Sequence, residues 1–153
     1  MNATTMQNDL DAPTTESLAP ETTGAVSGAP RTLLRLEGAA AVASAAFAFS
    51  ALGGRWSLFA LLFLVPDLSM LGYLAGRRVG AVSYNAAHSY LGPALLAATG
   101  AVTGAATGGA LAALWVACIW AAHVGFDRML GYGLKYGTHF GDTHLGGVGR
   151  ARR

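Results

Sequence analysis

The chain has 153 residues, of which 53% are hydrophobic and only 12% charged, with a mean hydropathy of +0.43. A soluble domain carries about 25% charged residues, so this composition excludes an ordinary soluble domain, and the length allows one domain. The lone cysteine, Cys118, excludes a disulfide framework, and the small net charge of +2 conceals a very uneven distribution.

Residues 1–30 hold Asp9, Asp11, Glu16 and Glu21 but no Lys or Arg. They offer too little apolar surface to offset the entropy of ordering, so a disordered polar tail is expected there. Nothing in them has the pattern of a secretory signal.

Four apolar segments follow, at 32–52, 56–75, 81–102 and 109–128. Each is near the roughly 20 residues that a bilayer crossing needs. The connections at 53–55, 76–80 and 103–108 are short, so successive helices are expected to be antiparallel neighbours. The first is rich in alanine (Ala39, Ala40, Ala41, Ala43, Ala45, Ala46), which permits close helix approach. Gly100, Gly104 and Gly108 recur every fourth residue, as in a helix-dimer face or a flexible turn leaving the membrane. The expected fold is all-α: an integral membrane four-helix bundle of up-down topology. Residues 1–30 form its tail, 31–136 the transmembrane domain and 137–153 a cytoplasmic C-terminal tail.

Orientation follows from the basic residues. With four crossings, Arg31, Arg35, Arg77, Arg78, Arg128, Lys135, Arg150, Arg152 and Arg153 share one side, and only Arg55 lies on the other. That asymmetry predicts that both the N- and C-termini are cytoplasmic.

Polar and ionisable groups inside membrane segments are costly and are usually functional or paired. Here they are Glu37, Asp67, Asn85, His88, His123 and Asp127, with Arg128 beside the last. Counting in from the cytoplasmic ends, Glu37 and His123 lie roughly 8 Å deep, His88 roughly 11 Å and Asp67 roughly 12 Å. All four segments therefore bring a polar group to one layer. Asn85 and His88 are three apart, and His123 and Asp127 four apart, so each pair shares a helix face. Pro66 removes one helical hydrogen bond just before Asp67 and predicts a kink that frees a carbonyl there. Two histidines with carboxylates suit zinc, iron or manganese, and helix bundles often house metals. The plainer reading makes Asp127–Arg128 and Arg35–Glu37 interfacial residues and His88–His123 an interhelical hydrogen-bonded pair. No HExxH, CxxC, GxSxG or phosphate-cradling loop occurs on a suitable element.

After the fourth segment, His139, Asp142 and His144 cluster beside Tyr132 and Tyr136. Two readings stay open: a cap folding over the polar layer and adding ligands, or a solvated loop with belt tyrosines. Trp56, Trp115, Tyr73 and Tyr84 read most simply as belt residues.

Leu33-Leu-Arg-Leu-Glu-Gly38, Pro66-Asp-Leu-Ser-Met-Leu-Gly-Tyr73, Tyr84-Asn-Ala-Ala-His88, His123-Val-Gly-Phe-Asp-Arg128, Gly131-Tyr-Gly-Leu-Lys-Tyr136 and Asp142-Thr-His-Leu-Gly146 resemble segments of small bacterial membrane proteins grouped as domain of unknown function 4260. The resemblance spans about residues 32–150. It implies a membrane location, no established activity, and that the polar residues above are hallmark positions. A looser likeness, by analogy only, is to membrane-bound metal-dependent hydrolases with Pro-Asp and His–Asp pairs.

The favoured expectation is a membrane-embedded metal-dependent hydrolase acting on a lipid or amphiphile from the cytoplasmic leaflet. Asp67, His88, His123 and Asp127 would hold the metal, which activates water. Glu37 and Asn85 would orient ligands or shuttle a proton, and Arg128 would meet an anionic head group. The rivals are a small transporter or proton relay, a haem protein with His88 and His123 as axial ligands, and a purely structural membrane protein. The partners expected are the bilayer and an amphiphilic small molecule, with no nucleic acid.

Overall fold

A computed structural model describes residues 24–107 and 109–147. The elements are α1 (Gly28–Ala51), α2 (Trp56–Leu62), a 3₁₀ helix (Val65–Ala75), α3 (Arg77–Ala87), α4 (Leu91–Thr107) and α5 (Ala110–Leu130). Among the described residues there is no strand, only an isolated antiparallel bridge between Lys135 and Thr143. Gly28–Ala51, Trp56–Ala75 and Ala110–Leu130 are long and apolar enough to cross a membrane, and Leu91–Gly104 is a shorter apolar helix. Many of their large apolar side chains point outward, Phe47 at 75% exposure and Leu74 at 88%. Water would oppose such a surface, whereas lipid tails match it.

The expected third helix over 81–102 is instead two helices, α3 and α4, separated by a turn at His88–Tyr90. Pro93 explains the break: it cannot donate to the Ser89 carbonyl and its ring crowds that carbonyl. In the first turn of α4 the missing N–H costs nothing, because first-turn donors have no helical partner. Pro66 acts similarly but more strongly than the expected kink. α2 stops at Leu62, and the chain resumes as a tighter 3₁₀ helix, with the Asp67 amide donating to Leu64 O at 3.2 Å. Two further boundaries differ from expectation. Residues 77–80 already belong to α3, and α4 runs on through 103–107.

The centre of the packing is α5, against which α1 and α4 both lie, while the 3₁₀ helix packs on α3. Helices α1 and α5 cross where Gly38 meets Gly125. A methyl group at Gly38 would sit 2.7 Å from Met129 N and 2.8 Å from Gly125 O. One at Gly125 would sit 2.9 Å from Gly38 O and 3.0 Å from Val42 N. Only glycine at both positions allows this approach. Farther along the same pair, Trp115 Nε1 donates to Leu52 O at 3.0 Å. Trp115 therefore ties two helices together, beyond the belt role expected of it. Gly100 and Gly104 face Ala113 and Ala110 of α5, so in this chain they serve internal helix packing rather than a dimer face or a turn. Gly108 lies outside the described residues.

α5 ends in a left-handed Gly131 (φ 95°), with Gly131 N bonded to Arg128 O at 3.0 Å and Tyr132 N to Asp127 O at 2.8 Å. The Arg35 guanidinium caps the same end, donating to Met129 O at 2.8 Å, where the helix dipole favours a cation. The chain then folds back over this end. Tyr136 N bonds Asp142 O at 2.9 Å and His144 N bonds Leu134 O at 3.1 Å, and Leu145 is fully buried. Residues 24–30, expected in the disordered tail, join this cap instead. Val26 N donates to His144 O at 2.8 Å, Gly24 O accepts from Tyr136 Oη at 3.2 Å, and α1 begins at Gly28. The rest of the expected tail, residues 1–23, lies outside the described residues, as do 148–153.

Candidate metal centre

Four side chains from three elements converge: Asp67 on the 3₁₀ helix, His88 at the end of α3, and His123 and Asp127 on α5. One ligand atom from each lies within 4.8 Å of all the others, and this group could hold a metal ion. The spacing has local causes. His123 and Asp127 share a face of α5 because they are four residues apart. Asp67 follows the proline that breaks the second helix, and His88 caps α3 at the break before Pro93.

Four of the six ligand–ligand distances suit a single small cation. His88 Nε2 is 3.1 Å from His123 Nε2, 3.4 Å from Asp67 Oδ1 and 3.5 Å from Asp127 Oδ2, and His123 Nε2 is 3.6 Å from Asp67 Oδ1. Bonds of ~2.1 Å in a tetrahedron give ligand–ligand edges of about 3.4 Å. Both histidines are almost wholly buried, at 3% and 2% exposure. The carboxylates keep more exposure, 33% for the Asp67 side chain and 17% for Asp127. The ligand set therefore has a closed imidazole side and an open carboxylate side.

Surrounding groups orient two of the ligands. The Nδ1 of His88 lies 3.0 Å from Tyr84 O, a carbonyl that can only accept. That contact places the proton on Nδ1 and leaves the Nε2 lone pair facing the other ligands. The Tyr84 ring stacks on the His88 ring, 3.7 Å between centroids and 11° between planes, and its hydroxyl donates to Asp127 Oδ2 at 3.0 Å. Trp120 Nε1 holds the chain just before His88 by donating to Ala87 O. His123 is held by packing instead, with Phe63 edge-on at 5.2 Å and its Nδ1 buried without a hydrogen-bond partner.

Two cavities flank the cluster. A polar one of about 330 Å³ is lined by Asp67, Asp127, Tyr84, Tyr132, Lys135 and Phe140, among others. An apolar one of about 340 Å³ is lined by Leu62, Val65, Pro66, Leu96, Ile119 and Trp120, among others, and reaches the chain neighbours of Asp67 and His88.

Of the other residues picked out in the sequence, none joins the four. Asn85 is occupied elsewhere: its amide donates to Lys135 O at 2.8 Å and accepts from Lys135 N at 2.7 Å. Glu37 is exposed on α1. The Arg128 guanidinium lies 5.1 Å from the Tyr90 ring and 3.4 Å from His144 Nε2. The cap reading of the C-terminal segment holds as to its position over the polar layer, but it adds no ligand. Asp142 accepts from Thr138 Oγ1 at 2.7 Å, His139 Nδ1 accepts from Gly141 N at 3.2 Å, and His144 Nδ1 accepts from Leu134 N at 2.8 Å. Burial pushes the His144 imidazole below its usual range, and the nearby Arg128 charge pushes the same way.

Sequence reasoning missed Tyr84, read as a belt residue, and Lys135, counted only as a charge. Lys135 is 93% buried, its Nζ 3.6 Å from the centre of the Phe140 ring and 4.8 Å from that of Tyr84, donating to Phe140 O at 2.9 Å. Burial lowers its pKa, opposed by the charge of Asp127. Tyr84 carried a signal, since its spacing of four from His88 puts both on one helix face. Lys135 carried none.

The haem alternative does not fit this arrangement. Axial histidines stand on opposite faces of a macrocycle, whereas the His88 and His123 rings are in direct contact, with centroids 5.0 Å apart. The helices, the membrane-length apolar spans and the buried His–Asp cluster together define a helical membrane protein with a possible metal site. The chain belongs to the family described as domain of unknown function 4260, which matches residues 31–148. No curated protein matches it, and no solved structure does.

Proposed function

We propose that this protein is a membrane-embedded metal-dependent hydrolase, with Asp67, His88, His123 and Asp127 as the metal ligands. The observation that carries this reading is the set of four ligand atoms within 4.8 Å of one another, with His88 Nε2 3.1–3.5 Å from the other three and His123 Nε2 3.6 Å from Asp67 Oδ1. A mixed imidazole and carboxylate set suits zinc, iron or manganese. When bound, such an ion would supply Lewis-acid activation of water. The protein's part is to hold the ligands, fix the His88 tautomer through Tyr84 O, and admit substrate on the carboxylate side, where the polar cavity lies. The apolar cavity beside Pro66 gives room for the chain of a lipid or other amphiphile, which supports such a substrate. With α3 and α4 together as one crossing, the chain would cross four times in up-down order, both termini facing the cytoplasm of a bacterial cell.

The second reading is a proton relay, favoured by the direct 3.1 Å contact between the two imidazoles and the 3.4 Å contact from His88 to Asp67. Elemental analysis of protein purified without chelators separates the two. Near-stoichiometric metal, lost in Asp67→Ala, His88→Ala, His123→Ala and Asp127→Ala while the helices still insert, supports the metal centre. Metal-free protein that takes up no added zinc, iron or manganese overturns it and leaves the relay.

A further inference from the structure

We infer that the polar cavity beside the four ligands binds a phosphate group, with Lys135 as its fixed counter-charge. The inference rests on the metal reading above and adds to it the chemical class of the substrate.

Lys135 is unusual in several respects. It follows α5 by only a few residues, yet it is 93% buried, held there by α3 and by Phe140 of the cap. Asn85 of α3 brackets its backbone with two hydrogen bonds. The Tyr84 and Phe140 rings lie under its ammonium, and Phe140 O accepts one of its protons. Tyr84 and Phe140 both line the polar cavity, as Lys135 does, so the ammonium is fixed at the cavity wall. An ammonium has three donors, and the carbonyl uses one. A buried cation with donors to spare is costly unless an anion meets it.

Charge in the cavity decides when an anion can enter. Asp67 and Asp127 contribute two negative charges and Lys135 one positive, a net of −1 that repels anions. A divalent ion on the four ligands turns this into +1. Anion binding should therefore require metal, and the anion would lie between the ion and Lys135. Phosphate suits both neighbours: zinc, iron and manganese ions accept oxygen ligands, and lysine binds phosphate as a point charge. The volume of about 330 Å³ holds such a group with its ester oxygen substituent. The separate apolar cavity next to Pro66 and Ala87 makes a lipid phosphate one source, and a soluble phosphate ester the other.

Cobalt(II) loading of the detergent-purified chain tests this, because the visible spectrum reports directly on the ligand field. Inorganic phosphate and dihexanoyl phosphatidate are each titrated against the cobalt protein. In wild type both should shift the spectrum, and after chelation neither should bind. Lys135→Met should take up cobalt normally but bind phosphate at least about tenfold more weakly. If Lys135→Met loses cobalt, Lys135→Arg decides: a retained phosphate response supports the inference and a lost one refutes it. Phosphatidate acting at tenfold lower concentration than phosphate identifies a lipid headgroup as the ligand, and equal potency identifies a soluble ester. A cobalt protein whose spectrum neither ligand moves overturns the phosphate site and leaves the metal reading standing. A chain that binds no cobalt overturns both.

Discussion

His88 and His123 face each other through their Nε2 atoms at 3.1 Å, although one caps α3 and the other lies within α5. Two neutral imidazoles so placed can share one proton or together bind one cation. Together with Asp67 and Asp127 the pair could hold a metal ion, and His88 turns its Nε2 toward that set because its Nδ1 proton is used on Tyr84 O.

Tyr84 is therefore expected to tune the site without binding the metal. Tyr84→Phe keeps the ring stacked on His88 but removes the hydroxyl that donates to Asp127 Oδ2. Loss of such an outer hydrogen bond typically weakens metal binding 10–100-fold. Competition with a graded chelator should show that loss, with helix content unchanged by circular dichroism. Unchanged affinity would mean that Asp127 needs no orientation.

The α1–α5 crossing should be intolerant of any side chain at Gly38. Gly38→Ala places a methyl group 2.7 Å from Met129 N, a backbone atom that cannot swing aside. Overpacking of this kind costs about 1–3 kcal/mol. Thermal denaturation in detergent should show a clear loss of stability, and Gly125→Ala should behave alike, since its methyl group meets Gly38 O. Two variants as stable as wild type would show that the helices separate easily.

Asn85 should act on the cap. Asn85→Ala leaves the amide and carbonyl of buried Lys135 without their partners, at a cost of about 1–3 kcal/mol. Hydrogen exchange over residues 134–144 is expected to accelerate while α1 and α5 stay protected. Asn85→Asp is a sharper variant, because it keeps the acceptor for Lys135 N and removes the donor to Lys135 O. Protection of 134–144 in both variants would show that the cap holds without Asn85.

The cap should also loosen in mild acid. The folded His144 pKa lies below the ordinary value of 6.5, through burial and the Arg128 charge. Below 6.5 the unfolded chain binds more protons than the folded one, so stability rises with pH across the window between the lowered value and 6.5. It is lost as pH falls through that window, because a protonated Nδ1 can no longer accept from Leu134 N. Limited proteolysis of the C-terminal segment should therefore be faster at pH 5 than at pH 7.5. His144→Gln should flatten the difference; a variant with the full wild-type dependence would assign it to another group.

The sequence by itself determined the class of protein and singled out four polar residues that could hold a metal ion. Apolar runs of membrane length declare a membrane protein because lipid demands them, and Asp67, His88, His123 and Asp127 stand out because charge inside such runs is costly. Helical rise converts residue number into depth and placed Asp67, His88 and His123 in one layer, but it placed Glu37 there too, and the packing of α1 leaves Glu37 exposed. Hydropathy could not reveal the breaks at residues 63–64 and 88–90, because prolines interrupt hydrogen bonding without making a segment less apolar. The roles of Tyr84 and Lys135 were missed as well, although the spacing of Tyr84 from His88 carried a signal. A tyrosine near a helix end reads as interfacial until its hydroxyl is found on Asp127, and a lysine past the last helix reads as a surface charge until the chain folds back. Only the tertiary structure decided those roles. The cap is held by backbone hydrogen bonds and by Asn85 on a helix 50 residues earlier, and no local pattern records a contact of that range.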